Sequence, residues 1–409
     1  MQVKTSPSVS SHIQEGIREP AIDMRLIWLL TVAAGVTVAN LYYSQPLLAD
    51  IAHSFALSAS QAGFLGTLTQ LGYGLGLVLI VPLGDSKERR SLLVLLLLLE
   101  AGALLGMAFA PTVGWLTVAS LAVGFLTVMP QIIIPFAASL ASNEKRARIV
   151  GTVLSGILIG ILLGRVVSGL LGAELGWRAM YGIAAGLMLL LALVLWRSLP
   201  KQPSSGGASY FQLLGSLWTL VRTEPALRPV CLFGALTFAA FNVFWITLAF
   251  FLRTPPYHFG SAIVGLFGIV GVVGATAAPQ VGRLADRTGK PRITIGLGLS
   301  LVLLAFGVLW LFGSMLWGLI VGVILLDLGV QTNLISCQTL VQNLRPEARS
   351  RLNTVFMTTY FLGGAAGSTL GSYGWSLGRW AGVCVIGMVL LLSALMAFLL
   401  TNRSITHRS

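Results

Sequence analysis

The sequence predicts an all-α membrane protein, with twelve transmembrane helices in two pseudo-symmetric six-helix bundles. Three observations predict it. The 409 residues are 56% hydrophobic and only 10% charged, where a soluble protein carries about 25% charged residues, and mean hydropathy is +0.88. Apolar stretches of about 20 residues recur along the chain, the length an α-helix needs to cross a hydrocarbon core of about 30 Å. The charged motifs repeat at a spacing of about half the chain. Sustained in/out alternation is lacking, which argues against a β-barrel.

In order, the spans are read at 26–48, 60–83, 91–110, 115–141, 149–172, 177–196, 229–252, 261–281, 293–313, 316–341, 352–375 and 380–401. Residues 1–25 form a tail with Glu15, Glu19 and Asp23 and no apolar leader, so no signal peptide is read. Residues 26–196 make the N-terminal bundle and 229–401 the C-terminal bundle; 402–409 is a second tail. The join, 197–228, starts as a Pro/Ser/Gly-rich linker. It continues from Tyr210 as a short amphipathic helix expected on the membrane surface.

The net charge of +13 could indicate nucleic acid, but its distribution argues otherwise. Of the 26 Lys and Arg, all but Arg165, Arg178, Arg253 and Arg379 fall in the two tails and in loops after even-numbered spans. That asymmetry assigns both termini to the cytoplasm. It leaves lipid contact as a secondary role for the charge and no nucleic-acid partner. The three cysteines, Cys231, Cys337 and Cys384, lie within spans and form neither a disulfide framework nor a metal site.

The internal repeat rests on three pairs. Asp85 and Asp286, in the loops after spans 2 and 8, are 201 residues apart; Glu144 and Glu347 are 203 apart; Gly176-Trp177 and Gly374-Trp375 are 198 apart. Parallel repeats of this kind are common in secondary transporters. Glycines at helical spacing mark spans 2 (Gly63, Gly66, Gly72, Gly74, Gly76), 5 (Gly156, Gly160, Gly164), 8 (Gly265, Gly268, Gly271, Gly274) and 11 (Gly363, Gly367, Gly371). Small residues let helices approach closely, so these four spans are expected to form the contact between the halves.

The loop after span 8, with Gly282, Leu284, Ala285, Asp286, Arg287, Gly289 and Lys290, closely matches the signature loop G-x-L-A-D-R-x-G-R-K, and with it the chain resembles the major facilitator superfamily over all twelve spans. The copy after span 2 keeps Leu83, Asp85, Arg89 and Arg90, with Val81 and Glu88 at the glycine positions. In span 5, Gly156, Gly160 and Gly164 resemble part of the antiporter motif of the drug:proton antiporter branch, with Ile161 at its proline and Arg165 at its last glycine. The resemblance implies alternating access, with Asp85, Arg89, Arg90, Gly282, Asp286, Arg287 and Lys290 at a cytoplasmic gate. It also implies that spans 1, 4, 7 and 10 line the cavity, which makes Asn40, Tyr43, Gln45, Gln131, Asn242, Trp245, Gln331 and Asn333 cavity candidates.

Only Glu100, Arg165 and Asp327 are ionisable residues well inside spans. A charge at mid-membrane costs about 2.5–3.5 kcal/mol on insertion scales and is kept where it faces water, a partner or a substrate. Asp327, near the middle of span 10, is the leading proton-coupling candidate; the alternative is a fixed ion pair with Arg165. Glu100 on span 3 is a second candidate. Arg165 stays charged and could hold Asp327, Glu100 or an anionic substrate. Pro130 and Pro135 are expected to bend span 4.

No P-loop is present, and no nucleophile–base set or metal cluster appears in the spans, so neither an enzyme nor a cofactor is expected. The expected function is secondary active export of a small hydrophobic or amphiphilic molecule in exchange for protons by a monomer. The alternative is proton-coupled uptake, or facilitated passage, of a sugar or organic acid.

Overall fold

The computed structural model describes residues 24–140, 142, 144–201, 210–288, 291–345 and 348–406, with side chains described except at 85, 275–291 and 402–406. The expected tail up to residue 23, residues 202–209 of the linker, Gly289, Lys290 and the last three residues lie outside the described residues.

Regular structure among the described residues is helical. The first span is broken: α1 (Met24–Ala39) gives way to α2 (Ser44–Ser54). Between them the amides of Asn40, Leu41 and Tyr42 donate to carbonyls only three residues back, at 3.1, 3.2 and 2.9 Å. This tighter winding turns successive side chains toward different neighbours. Pro46 falls in the first turn of α2, where an amide would have no helical acceptor. Helix α3 (Ala59–Leu79) starts on a capping box between Ser58 and Gln61. After the short α4 (Leu83–Ser86), α5 (Arg89–Ala108) is capped by the Glu88 carboxylate, which accepts from the amides of Arg90 and Ser91 at 3.0 and 2.8 Å.

The fourth span is also broken, into α6 (Val113–Leu126) and α7 (Met129–Ser139). The break at Thr127–Val128 lies just before Pro130, in the first turn of α7, while Pro135 sits inside α7. Helices α8 (Arg146–Leu175) and α9 (Trp177–Ser198) are separated by Gly176, whose φ of 84° suits glycine alone. On the expected linker, α10 (Tyr210–Thr223) buries Leu217 and Leu220 and exposes Phe211 and Trp218, an amphipathic pattern.

The second part of the chain comprises α11 (Leu227–Leu252), α12 (Ser261–Thr288), α13 (Pro291–Phe312), α14 (Leu316–Leu344) and α15 (Arg349–Thr406). Helix α15 is interrupted at Gly378 and at Arg379, which has a φ of 50°. The repeated Gly-Trp pairs therefore differ: Gly176 ends a helix, whereas Gly374 lies inside one. A Cβ on Gly374 would come within 3.0 Å of the Gly382 carbonyl oxygen, so the two arms of the break pack tightly beyond it.

Among the described residues, with α1–α2 and α6–α7 each taken as one unit, ten helices are long and apolar enough to cross a membrane; α15 counts as one of 53 residues, and α12 contributes an apolar stretch over Ser261–Gly274. Trp28, Leu98, Leu163, Leu190, Leu311 and Leu392 point outward and are about half exposed or more. So much exposed apolar surface requires lipid around it.

Contacts between the two parts of the chain run mainly through α3 against α15 and α8 against α12, the four spans that the glycine pattern selects, with α2 adding smaller contacts to α11 and α12. Most of the glycines serve another purpose, however. Gly156, Gly160 and Gly164 face α1, and a Cβ on Gly160 would lie 2.1 Å from the Gly35 carbonyl oxygen. Gly363, Gly367 and Gly371 face α11 in the same way. Gly63 on α3, against Ser372, and Gly265 on α12, against the Arg165 carbonyl, do lie at the crossing between the two parts. Without a hydrophobic force between helices in lipid, close packing of small residues holds neighbours together wherever they meet, so spacing alone did not distinguish the two uses.

Candidate functional site

The two broken crossings converge on Glu100. Asn40, at the α1–α2 break, donates from Nδ2 to Glu100 Oε1 at 2.7 Å. Thr127, at the α6–α7 break, donates from Oγ1 to the same oxygen at 2.6 Å. Glu100 is fully buried. Although it belongs to a helix expected at the periphery, it points inward. Among the described residues, its Oε2 and Asn40 Oδ1 have no hydrogen-bond partner.

Five residues past Asn40, Gln45 faces the other way and accepts at Oε1 from Arg165 Nε at 2.7 Å. Arg165 is 1% exposed. Its guanidinium carbon lies 3.9 Å from the Trp245 ring centroid, 4.9 Å from that of Tyr42 and 5.4 Å from that of Phe241. Such cation–π contacts are worth about 2 kcal/mol or more when desolvated. They take up part of the charge, yet among the described residues Arg165 Nη2 and Trp245 Nε1 have no hydrogen-bond partner.

Asp327 on α14 is 3% exposed, and its Oδ2 likewise has no partner among the described residues. It is close enough to Arg165 for their charges to interact, but among the described residues no salt bridge within 4.0 Å joins the two. Helix α12 explains the arrangement. A Cβ on Gly268 would be 3.1 Å from Arg165 Cβ, and one on Gly271 would be 3.1 Å from Asp327 Oδ2. One turn of glycine-lined helix thus backs both charged groups.

The other expected cavity residues scatter. Asn242 accepts at Oδ1 from Gln70 Nε2 at 3.0 Å, a bond between α11 and α3, and Thr67 pairs with Thr369 at 2.9 Å nearby. Gln131 is half-buried and donates to the Tyr73 hydroxyl at 3.4 Å. Tyr43 is buried, and Gln331 half-buried. Asn333 is buried against Gly298 of α13, within the second part of the chain.

Among the expected gate residues, Arg89 donates to Ser139 Oγ at 2.9 Å and to the Gly84 carbonyl at 3.2 Å, while Arg90 donates to the Leu199 carbonyl at 3.2 Å. All of these partners belong to the first part of the chain. The side chains of Asp85, Gly282, Asp286 and Arg287 lie outside the described residues.

At the end of the molecule opposite the basic loops, Asp50 and Arg253 form an ion pair that ties α2 to the end of α11. Sequence reasoning passed over it, although a signal was available: the two residues are 203 apart, the repeat spacing, and so lie at matching positions in the two parts. The partners of Arg165, namely Tyr42 and Phe241, were missed too, because each reads as ordinary apolar packing.

A model of the Major Facilitator Superfamily matches residues 28–368. An uncharacterized transporter of Escherichia coli, YgaY, is 44% identical over 373 residues, covering 91% of this chain and 94% of its own. A probable sugar efflux transporter of Helicobacter pylori is 23% identical over 350 residues, covering 85% and 87%. Among solved structures, a bacterial homologue of the human lysosomal transporter Spinster, inward-facing and unoccupied, superposes with a TM-score of 0.75 at 16% identity, over 94% of this chain and 98% of that one.

Proposed function

The chain belongs to the major facilitator superfamily and is a multi-pass membrane transporter rather than an enzyme; on that premise we propose that it exports a small amphiphilic molecule in exchange for protons. Twelve crossings follow if α15 is counted as two spans, divided at Gly378 and Arg379, and α12 as one. The crossings form a bundle over 26–196 and another over 229–401 in a bacterial inner membrane, with both termini cytoplasmic. The two bundles rock about a central site and expose it to each face in turn.

One observation carries the reading. Asp327 is buried with Oδ2 lacking a partner among the described residues and is not bonded directly to the neighbouring Arg165. A carboxylate in a settled ion pair has its charge answered in place. One held just apart from its cation changes its balance when water enters or a helix shifts, and so can take up and release a proton. Arg165 is the charge partner, and Glu100, bound by residues at two helix breaks, senses movement of those breaks. The loop residues Asp85, Arg89, Arg90, Gly282, Asp286, Arg287 and Lys290 control the cytoplasmic side. The partial antiporter motif in α8 and the likeness to the probable sugar efflux transporter of Helicobacter pylori both support export.

Transport into inside-out vesicles under an imposed proton gradient, with a panel of labelled amphiphiles, tests the reading. Gradient-dependent accumulation of a compound supports export. Accumulation only under the opposite gradient means uptake by symport, and movement indifferent to the gradient means facilitated passage.

A further inference from the structure

We propose that the transported molecule is a zwitterion with an apolar body, such as an apolar amino acid, held by its carboxylate on Arg165 and Trp245 and by its ammonium on Asp327. The proposal rests on the exporter reading above and names its substrate class.

Three buried polar atoms lack partners among the described residues at this one place: Arg165 Nη2, Trp245 Nε1 and Asp327 Oδ2. The residues that bear them are 1%, 1% and 3% exposed. Two are donors, on a guanidinium and on the indole stacked against it at 3.9 Å. The third is an acceptor on a carboxylate. Gly268 and Gly271 back the two charged groups one turn apart on α12, where Cβ positions are about 5–6 Å apart. Among the described residues, the Arg165 side chain makes one hydrogen bond, from Nε to Gln45 Oε1.

A structural ion pair would close, because bidentate contact is what offsets the several kcal/mol of desolvating each charge. Here the charges stand near each other without closing, each with an atom to spare. A simple anion would answer Arg165 and Trp245 but lie against the Asp327 charge. A simple cation would answer Asp327 but lie against Arg165. A neutral polyol would fill the hydrogen bonds and leave both charges uncompensated. A zwitterion satisfies all three atoms and both charges, and Tyr42, Phe241 and Trp245 suit an apolar side chain.

The same arrangement makes proton and substrate compete. A protonated Asp327 offers no charge to the ammonium, so each displaces the other, as exchange requires. Among the described residues, the charge that acts on Asp327 is that of Arg165, and the Asp327 carboxylate in turn acts on the neutral hydroxyls of Tyr42 and Tyr360.

The test is equilibrium binding to the purified full-length protein without any gradient, followed by calorimetry and thermal shift. The probes are leucine, methionine and phenylalanine, together with the amine and the acid obtained by removing one charged group from each, and glucose. At least one amino acid should bind saturably, and its amine and acid at least about ten-fold more weakly, which is 1.4 kcal/mol. Arg165→Gln should abolish the preference over the amine, and Asp327→Asn the preference over the acid. Arg165→Lys, which keeps the charge, covers the case in which Arg165→Gln does not fold. Equal binding of an amine, an acid or glucose, or no binding of any of the three amino acids to folded wild type, overturns the proposal. If no amino acid binds while another amphiphile is pumped, the exporter reading survives. If an amino acid binds but a proton gradient does not move it, the site assignment survives and the exporter reading fails.

Discussion

The ion pair between Asp50 and Arg253 joins the two parts of the chain at the face opposite the basic loops, so its loss should shift the molecule toward opening at that face. Both side chains are partly hydrated, 26% and 36% exposed. A pair so placed is worth about 0.2–1 kcal/mol, well below a buried one. At the upper limit, removing it multiplies the ratio of open to closed molecules about five-fold. Spin labels at Glu174 and Ser314, both exposed at that end and in different parts of the chain, would report the separation directly, since the three native cysteines are buried. In Asp50→Asn and in Arg253→Gln the long-distance population should rise by up to this factor. The reciprocal exchange, Asp50→Arg with Arg253→Asp, should return it toward wild type. Single variants with unchanged distances, or an exchange no better than the singles, would refute the latch.

Other perturbations have definite expected outcomes. Gly160→Leu drives a side chain into the Gly35 backbone and should cost about 1–3 kcal/mol or more through overpacking, read as a lower unfolding midpoint in detergent. Gly186→Leu, whose Cβ would meet nothing within 4 Å, should be near neutral. Glu100→Gln keeps an acceptor for Asn40 and Thr127 and should fold normally, whereas Glu100→Ala strands the Asn40 donor and should cost about 1–3 kcal/mol by thermal unfolding. Equal stability of the two Glu100 variants would show that those bonds contribute little.

Much of this architecture is legible in the sequence because lipid imposes simple rules. An apolar run long enough to cross, and basic loops on one side, suffice to bound nearly every helix, and the amphipathic α10 follows from its pattern. The breaks in the first and fourth spans are different. A hydropathy window averages over residues 40–43 and 127–128, and only Pro46 and Pro130 hint that the winding changes there. Yet these breaks deliver Asn40, Gln45 and Thr127 to the buried charges. Asp327, Arg165 and Glu100 stand out as ionisable residues in apolar surroundings. Who faces them depends on packing between distant segments, which leaves no local pattern. Hence nothing in the sequence shows that the backbone and Cβ of Asn333 lie against Gly298 of α13, and the glycines of α8 and α15 read as an interface between halves but mostly hold α1 and α11.

The central claim is that Asp327 carries the coupling proton. Its most direct test compares two transport modes of Asp327→Asn in proteoliposomes, using a compound that wild type accumulates. One mode is exchange of labelled for unlabelled substrate without a gradient; the other is accumulation driven by a proton gradient. Lost accumulation with exchange retained at substrate concentrations above those wild type needs is the predicted result, because the variant weakens its hold on the ammonium but loses the coupling altogether. Accumulation at the wild-type level in the variant would contradict the account.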